Sequence, residues 1–283
     1  MIRIKGLSFR YSGGVKNALS DISLDIGKGD FLGIIGASGA GKSTLTYAIN
    51  GVVPHYIRGD FYGEVVVSGL DTVKAGPETL ARHVGSVLQD IDGQMVSSVV
   101  EDELLFGLEN FGVPHGEIES RIEESLAAAG ISELRSRDIG TLSGGQKQKV
   151  AIAAIMALRP EIIVLDEPTG ELDPQSSRRV FETLRSLNEE NGVTIVVVEQ
   201  KIMLLCEFAG RLAVMSGGKL ISEGRVKDVL MDADKLEGAG VNIPRVATLA
   251  RLLRKKGLYS GDTPADLRQA EAMMREVLSD AAV

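Results

Sequence analysis

Phe31-Leu-Gly-Ile-Ile35 runs straight into Gly36-Ala-Ser-Gly-Ala-Gly-Lys42-Ser43-Thr44, and the reading of this stretch decides the fold. The short apolar run reads as a buried strand. In the loop behind it, Gly36, Gly39 and Gly41 carry no side chains, so backbone N–H groups can turn inward and approach phosphate oxygens. Ser38 and Ala40 fill the loop between them. Lys42 is expected to reach β- and γ-phosphates, and the Ser43 hydroxyl to take a place on Mg2+. A helix is expected over Lys42 to Asn50, through Thr44, with its positive dipole end aimed at the same anion. Strand, glycine loop and helix in this order imply an α/β sheet with a ligand beyond the carboxyl ends of its strands.

Working outward, three further stretches belong with this one. Glu161-Ile-Ile-Val-Leu165 is an almost unbroken apolar run that suits a central parallel strand, and it ends in Asp166-Glu167. Leu142-Ser143-Gly144-Gly145-Gln146 lies between the glycine loop and those acids. Ser143 is placed to cap a helix running to about Leu158, whose first turn would offer hydroxyl, backbone N–H groups and dipole to an anion. Thr194-Ile-Val-Val-Val198 is a third buried strand, followed by Glu199-Gln200-Lys201.

A phosphate loop alone says only that phosphates are held. With Ser-Gly-Gly-Gln and the Asp-Glu pair in this order, the chain resembles the ATP-binding cassette (ABC) ATPases over residues 1 to about 225. The resemblance implies an α/β P-loop NTPase cassette with a RecA-like core, an antiparallel β subdomain, an inserted α-helical subdomain at about 90–140 and a small C-terminal helical extension. It places the nucleotide-binding domain at 1–225 and the extension at 226–283. It implies ATP and Mg2+, with Asp166, Ser43 and Gln89 around the metal. Glu167 would polarise the attacking water, and Gln89, in Val87-Leu-Gln-Asp90, would link that site to a membrane partner. Tyr11 matches the aromatic that stacks on adenine. Ser143, Gly144, Gly145 and Gln146 would face the γ-phosphate bound by a second cassette, so two ATP molecules lie between two cassettes head to tail. Asp173, in Glu171-Leu-Asp173, would address the opposite site.

Two positions depart from the family pattern. Glu171 stands where a small residue is usual. Gln200 stands where a histidine normally contacts the γ-phosphate. Its amide can donate a hydrogen bond but carries no imidazolium charge. Gln200 is therefore either a working substitute or the mark of a weakened site in an asymmetric pair.

Composition sets limits. The 283 residues suffice for one large domain and a small one, and the net charge of -8 argues against nonspecific nucleic-acid binding. No apolar run approaches the roughly 18 residues of a membrane span, and Met1 to Lys5 do not lead into a secretory signal. A single cysteine, Cys206, fits a reducing cytosol and is most simply packing. His55, His83 and His115 are dispersed and suggest no metal site. The hundred or so residues between Ser43 and Ser143 hold no sustained heptads, unlike DNA-repair or chromosome ATPases of the superfamily. One phosphate loop, not two, sets the chain apart from translation-associated cassettes. A regulatory ATP-binding subunit with weak hydrolysis stays open because of Gln200.

Beyond Gly224 the cassette pattern stops. Asn242 to Gly257 reads as a helix with Val246, Leu249, Ala250 and Leu253 on its apolar face. A second helix is expected to open at Thr263-Pro264 with Leu267, Ala270, Met274 and Val277 on one side. These faces pack either on their own cassette or on a partner cassette. With Gln89-Asp-Ile-Asp-Gly-Gln94, Val100-Glu-Asp-Glu-Leu-Leu-Phe106 and Leu142 to Ile152, the extension resembles the ATPases of energy-coupling factor (ECF) transporters. That resemblance implies a motor at the cytoplasmic face of the cell membrane, held there only through partners. Those partners are a second cassette, identical or different, a transmembrane coupling protein and a small substrate-capturing membrane protein. The cargo would be a vitamin, a vitamin precursor or a transition-metal ion.

Overall fold

The structure, a computed structural model, describes residues 1–280. Strands β1 (Ile2–Tyr11) and β2 (Leu19–Ile26) alternate buried and exposed residues, the period of a sheet with one face in a core. The strand expected from the decisive stretch is β3 (Phe31–Ile35), buried throughout, and it feeds α1 (Lys42–Ile49). A single turn, α2 (Val52–His55), leads into β4 (Gly59–Val67) and β5 (Leu70–Asp71). These close an antiparallel sheet in the order β2-β1-β4-β5.

A short turn, α3 (Pro77–Leu80), precedes β6 (Val84–Val87). The chain then builds a helical layer from α4 (Val100–Asn110), α5 (His115–Ala129) and α6 (Gly144–Ala157). It returns through β7 (Ile162–Asp166), α7 (Pro174–Asn191), β8 (Thr194–Val198), α8 (Ile202–Phe208), β9 (Arg211–Ser216) and β10 (Lys219–Arg225). The central sheet has the order β10-β9-β3-β8-β7-β6. Its strands are parallel except β10, which turns back along β9 as an antiparallel edge.

The pleat sends alternate residues of each central strand to opposite cores. Ile162 and Val164 of β7 join α1 and the antiparallel sheet, with Leu45, Ile49 and Ile4. Ile163 and Leu165 face α7 and α8, with Phe181, Leu184 and Leu205. Here Phe31 and Phe181 stack at 6.4 Å between ring centroids, and truncating so large a buried ring costs roughly 3–5 kcal/mol. A third core unites Val100, Leu104, Ile122 and Leu126 with Val150 and Ala153 of α6. Thus α6 belongs to the helical layer along one side while its first turn stays exposed or half-buried.

After β10 come α9 (Val226–Met231), α10 (Ala233–Gly238), α11 (Arg245–Lys255) and α12 (Leu267–Asp280). This extension does not stand apart from the cassette. Val226, Leu230, Leu236, Val241, Ala247 and Ala265 enter the core that contains Phe31 and Phe181. Two details differ from the sequence reading. The last helix opens at Leu267, not Thr263, because Thr263 and Ala265 are buried as an anchor and Asp266 accepts the Gln269 N–H at 2.8 Å. The buried faces are Val246, Ala247 and Ala250 on α11 and Ala270, Met273 and Val277 on α12. Leu249, Leu252 and Leu267 are exposed: α11 turns two alanines and a valine inward, which permits close approach, and both helices leave leucines outside.

Candidate functional site

The turn from β3 into α1 has the shape a phosphate needs. At Gly36 (φ +156°) a Cβ would lie 2.3 Å from the Met215 carbonyl oxygen, and at Gly41 (φ +97°) 2.6 Å from that of Ala18. Neither position accepts a side chain without moving backbone. Gly41 is the N-cap of α1 and offers no side-chain acceptor, so no cap competes with an incoming anion for the first-turn N–H groups. Lys42 is buried, and its ammonium donates to the carbonyls of Gly36 and Ala37 at 3.0 Å each. Thr44 is also buried, and its hydroxyl pairs with that of Tyr11 at 2.8 Å. Tyr11 in turn stands edge-on to Phe9, with centroids 5.0 Å apart, which fixes its ring beside the loop.

Asp166 ends β7 opposite Val198 and is only 2% exposed. Neither of its carboxylate oxygens makes a well-formed hydrogen bond among the described residues. Burial pushes its carboxyl above the usual range. The neighbouring Ser43 hydroxyl and Lys42 ammonium pull against that shift, and the Glu167 and Glu199 charges add to it. Among the described residues no three His, Cys, Asp or Glu side chains converge as metal ligands. A buried acceptor-only carboxylate beside a hydroxyl, open toward phosphates, nevertheless suits Mg2+, which usually keeps waters and takes one or two carboxylates plus phosphate oxygens.

Glu167 has left-handed backbone (φ +54°), a conformation costing a non-glycine residue about 1–3 kcal/mol. The surroundings hold it there. Its N–H donates to Val198 O at 2.8 Å, and Gln148, buried in α6, donates to its carbonyl at 2.9 Å. Gln200 Nε2 donates to Glu167 Oε1 at 2.8 Å. The structure thus brings Gln200 directly onto the glutamate.

Ser143 and Gln146 form a reciprocal capping box: Gln146 N–H donates to Ser143 Oγ at 3.3 Å, and Ser143 N–H to Gln146 Oε1 at 3.0 Å. The serine acts as acceptor, leaving its own hydroxyl proton to donate outward. Packing within the chain is tight at Gly145 and ordinary at Gly144. A Cβ on Gly144 would lie 3.4 Å from Glu171 Cγ, and one on Gly145 would lie 3.1 Å from the Glu171 carbonyl oxygen. The unusual Glu171 therefore lies along the glycines of the Ser-Gly-Gly-Gln turn. Asp173 caps α7, accepting from Gln175 and Ser176 N–H groups at 2.9 and 3.0 Å; the Ser176 hydroxyl, then these N–H groups, hold its carboxyl below the usual range. Gln89 projects exposed from the loop after β6. The glutamine that fixes that loop is Gln94, which accepts from Leu88 N–H and donates to Ser86 O.

The region 19–170 matches the family model described as ABC transporter. The chain belongs to the ABC transporter ATPases. It is 40% identical to an energy-coupling factor transporter ATP-binding protein of Caldanaerobacter subterraneus, over 97% of both chains. It superposes on cbiO1 of Clostridium perfringens, described as part of the ABC transporter complex cbiONQ, with a TM-score of 0.72 and 30% identity, covering 88% of this chain and 97% of that one. It also superposes on the dimeric cassette MJ0796 bound to ADP and phosphate in a post-hydrolysis state, with a TM-score of 0.71 and 28% identity, covering 80% of this chain and 99% of that one. As an ABC ATPase, the chain binds and hydrolyses ATP, and no described helix is long and apolar enough to cross a membrane.

Sequence reasoning missed the groups that brace this ABC site from behind. Glu199, 2% exposed, accepts from the Thr169 N–H at 3.0 Å, from the Thr169 hydroxyl, and from the N–H groups of Gln200 and Lys201. Lys201 donates to the carbonyls of Thr169 and Leu172 at 2.5 and 3.2 Å and to Ser177 Oγ at 3.1 Å. The segment after β8 and the turn carrying Glu171 and Asp173 are thereby one braced unit. An acid directly following a buried strand was the available signal. A cavity of about 600 Å³ lies elsewhere, at the amino ends of β7 and β8 against α5, and none of the nucleotide motifs lines it.

Proposed function

We propose that the chain is the ATP-hydrolysing motor of an ECF-type importer, with 1–225 as nucleotide-binding domain, a helical subdomain at about 90–140 and 226–283 as an accessory helical extension. The observation that carries the site reading is the Gln200 to Glu167 hydrogen bond next to a buried Asp166 that has no well-formed hydrogen bond among the described residues.

In this reading the loop from Gly36 to Thr44 cradles the phosphates through backbone N–H groups, and Lys42 gives up its two carbonyl partners for phosphate oxygens. Ser38, Gly39, Ala40 and Gly41 line that cradle, and Tyr11 stands where adenine would stack. Asp166, Ser43 and Gln89 would hold Mg2+, which would neutralise charge on the phosphates. Glu167 accepts a proton from the attacking water while Gln200 orients its carboxylate. Gln200 is then a working substitute for histidine, since orientation needs a donor and not a charge. Each of these groups positions or compensates charge, which is most of what phosphoryl transfer requires.

The turn of Ser143, Gly144, Gly145 and Gln146, with Asp173 two residues beyond the Glu171 that packs on its glycines, would meet the nucleotide of a second cassette. The MJ0796 cassette is dimeric, and cbiO1 belongs to a complex, which supports a paired arrangement on a membrane partner. The exposed Leu249, Leu252 and Leu267 suit a contact between extensions in that pair. Exposed Val96, on the same loop as Gln89, and exposed Phe106, on α4, suit a transmembrane coupling protein. The chain would then sit at the cytoplasmic face of the membrane through these partners, and the captured solute would be chosen by a small membrane protein.

The test is to purify the tagged chain from its own cells' membranes in mild detergent and identify what copurifies. A transmembrane coupling protein with a small substrate-binding membrane protein is the expected result. Recovery with soluble partners alone would refute the importer reading.

A further inference from the structure

The extension touches the phosphate loop. After α10, the turn Ala239–Asn242 is pinned by two hydrogen bonds, Gly240 N–H to Glu237 O and Val241 N–H to Leu236 O, both 3.0 Å. Ala239 and Val241 are buried in the core beneath the central sheet, so the turn cannot drift. Gly240 is left-handed (φ +72°), and a Cβ there would lie 3.2 Å from the Ala37 Cβ. Between this turn and the loop lies a cavity of about 180 Å³, lined by Ala37, Ser38, Glu199, Gln200, Gly240 and Asn242.

The cavity's position identifies which part of a nucleotide it faces. Tyr11 and Thr44 mark the far side of the phosphate loop, where a base would stack. Gln200, which holds the Glu167 carboxylate, marks the end where the terminal phosphate reacts. The cavity shares Gln200 and the loop's first half, and so lies at that end. Of its walls, Gly240 and Val241 bring no polar side chain, Glu199 is saturated by donors from Thr169, Gln200 and Lys201, and Asn242 brings an exposed amide.

We propose that Asn242 forms a third wall of the γ-phosphate position, contributed by the extension of the same chain, and donates its amide N–H to the terminal phosphate so that triphosphate is favoured over diphosphate. The proposal rests on the reading that ATP lies on the phosphate loop with its γ-phosphate toward Gln200. Asn is suited to the task. It donates without charge, across the cavity from a buried Glu199, and the left-handed glycine before the buried Val241 sets its backbone against the loop. The helices α9 to α12 thereby become part of the nucleotide site, and a load on them would be felt at the loop.

The experiment measures Mg2+-dependent binding of fluorescent ADP and of a non-hydrolysable ATP analogue to the full-length wild type, Asn242→Ala, Asn242→Asp and Lys42→Ala. Thermal unfolding without nucleotide is run alongside. Loss of one hydrogen bond in Asn242→Ala should weaken the triphosphate analogue about 3- to 10-fold and leave ADP within about 2-fold. Asn242→Asp sets a carboxylate against the γ-phosphate and should weaken the analogue about 10-fold or more, again sparing ADP. Asn242 is exposed, so unfolding temperatures should stay near wild type. Equal effects on both nucleotides, or none, would overturn the proposal while wild-type binding, lost in Lys42→Ala, upheld the parent reading. Wild type that bound neither nucleotide would overturn both.

Discussion

Replacing Asp166 by Asn should make the nucleotide-free protein more stable and at the same time remove its response to Mg2+. The Asp166 carboxylate is 2% exposed, and neither oxygen has a well-formed hydrogen bond among the described residues. Burial raises its pKa above the value in the unfolded chain. A group shifted in this direction favours the fold when protonated, at pH below its unfolded value, and loses that contribution as pH rises through its folded value. Where this carboxyl is ionised, the nucleotide-free protein holds a buried charge that the Ser43 hydroxyl and the Lys42 ammonium only partly offset. An asparagine keeps the shape and discards the charge, and relieving an unsatisfied buried group is worth about 1–3 kcal/mol. For a chain of this size that corresponds to a rise in Tm of roughly 2–10 °C. The assay is thermal unfolding at pH 7.5 and pH 5, without nucleotide, with ATP and EDTA, and with ATP and Mg2+. Asp166→Asn should melt above wild type when empty, by a margin that narrows at pH 5 as the wild-type carboxylate takes up protons. The extra stabilisation that Mg2+ gives over ATP and EDTA should be confined to wild type. An Asn variant that melts below wild type when empty, or keeps the full Mg2+ increment, would refute the argument.

Other expectations follow from the same geometry. Glu167→Gln should keep ATP affinity, since the amide preserves the shape at a backbone already held left-handed, and lose about 10²- to 10⁴-fold in turnover; steady-state phosphate release checks this. Gln200→Ala removes the 2.8 Å donor to Glu167 and should lower kcat by roughly 10-fold or more with little change in nucleotide affinity, whereas Gln200→His should stay within a few-fold of wild type, and a large gain would show a weakened native site. The Cys206 thiol is buried, and its pKa is pushed up to about 12, so it should resist alkylation at pH 8 in the native protein and react promptly in denaturant, as read by mass spectrometry.

Much of the molecule was legible because its signals are local. The stretch from Phe31 to Thr44 encodes strand, turn and helix through apolar run, glycine spacing and dipole, and β3, the loop and α1 appear where those rules put them. Ile162–Asp166 and Thr194–Val198 were readable for a related reason: strands covered on both faces have nothing polar to interrupt them. Ser143 and Gln146 are three residues apart, so the capping box was within reach of a short window.

What escaped depends on contacts between residues far apart in the chain. Val246 and Ala250 are buried on the expected apolar face, yet Leu249 between them is exposed and Ala247, outside that face, enters the core shared with the cassette. Periodicity reports that a helix has an apolar side, not which neighbour will cover it. Glu199 reaches Thr169 across 30 positions and Gln148 reaches Glu167 across 19, and no local pattern announces either pairing. Gly240 was unremarkable until the fold laid it against Ala37, roughly 200 residues earlier. Sequence alone determined the parts that a nucleotide's phosphates demand, since backbone amides, a lysine and two acids must follow short strands at short range. The tertiary structure alone decided what braces those parts, because bracing is the meeting of side chains that only the folded sheet brings together.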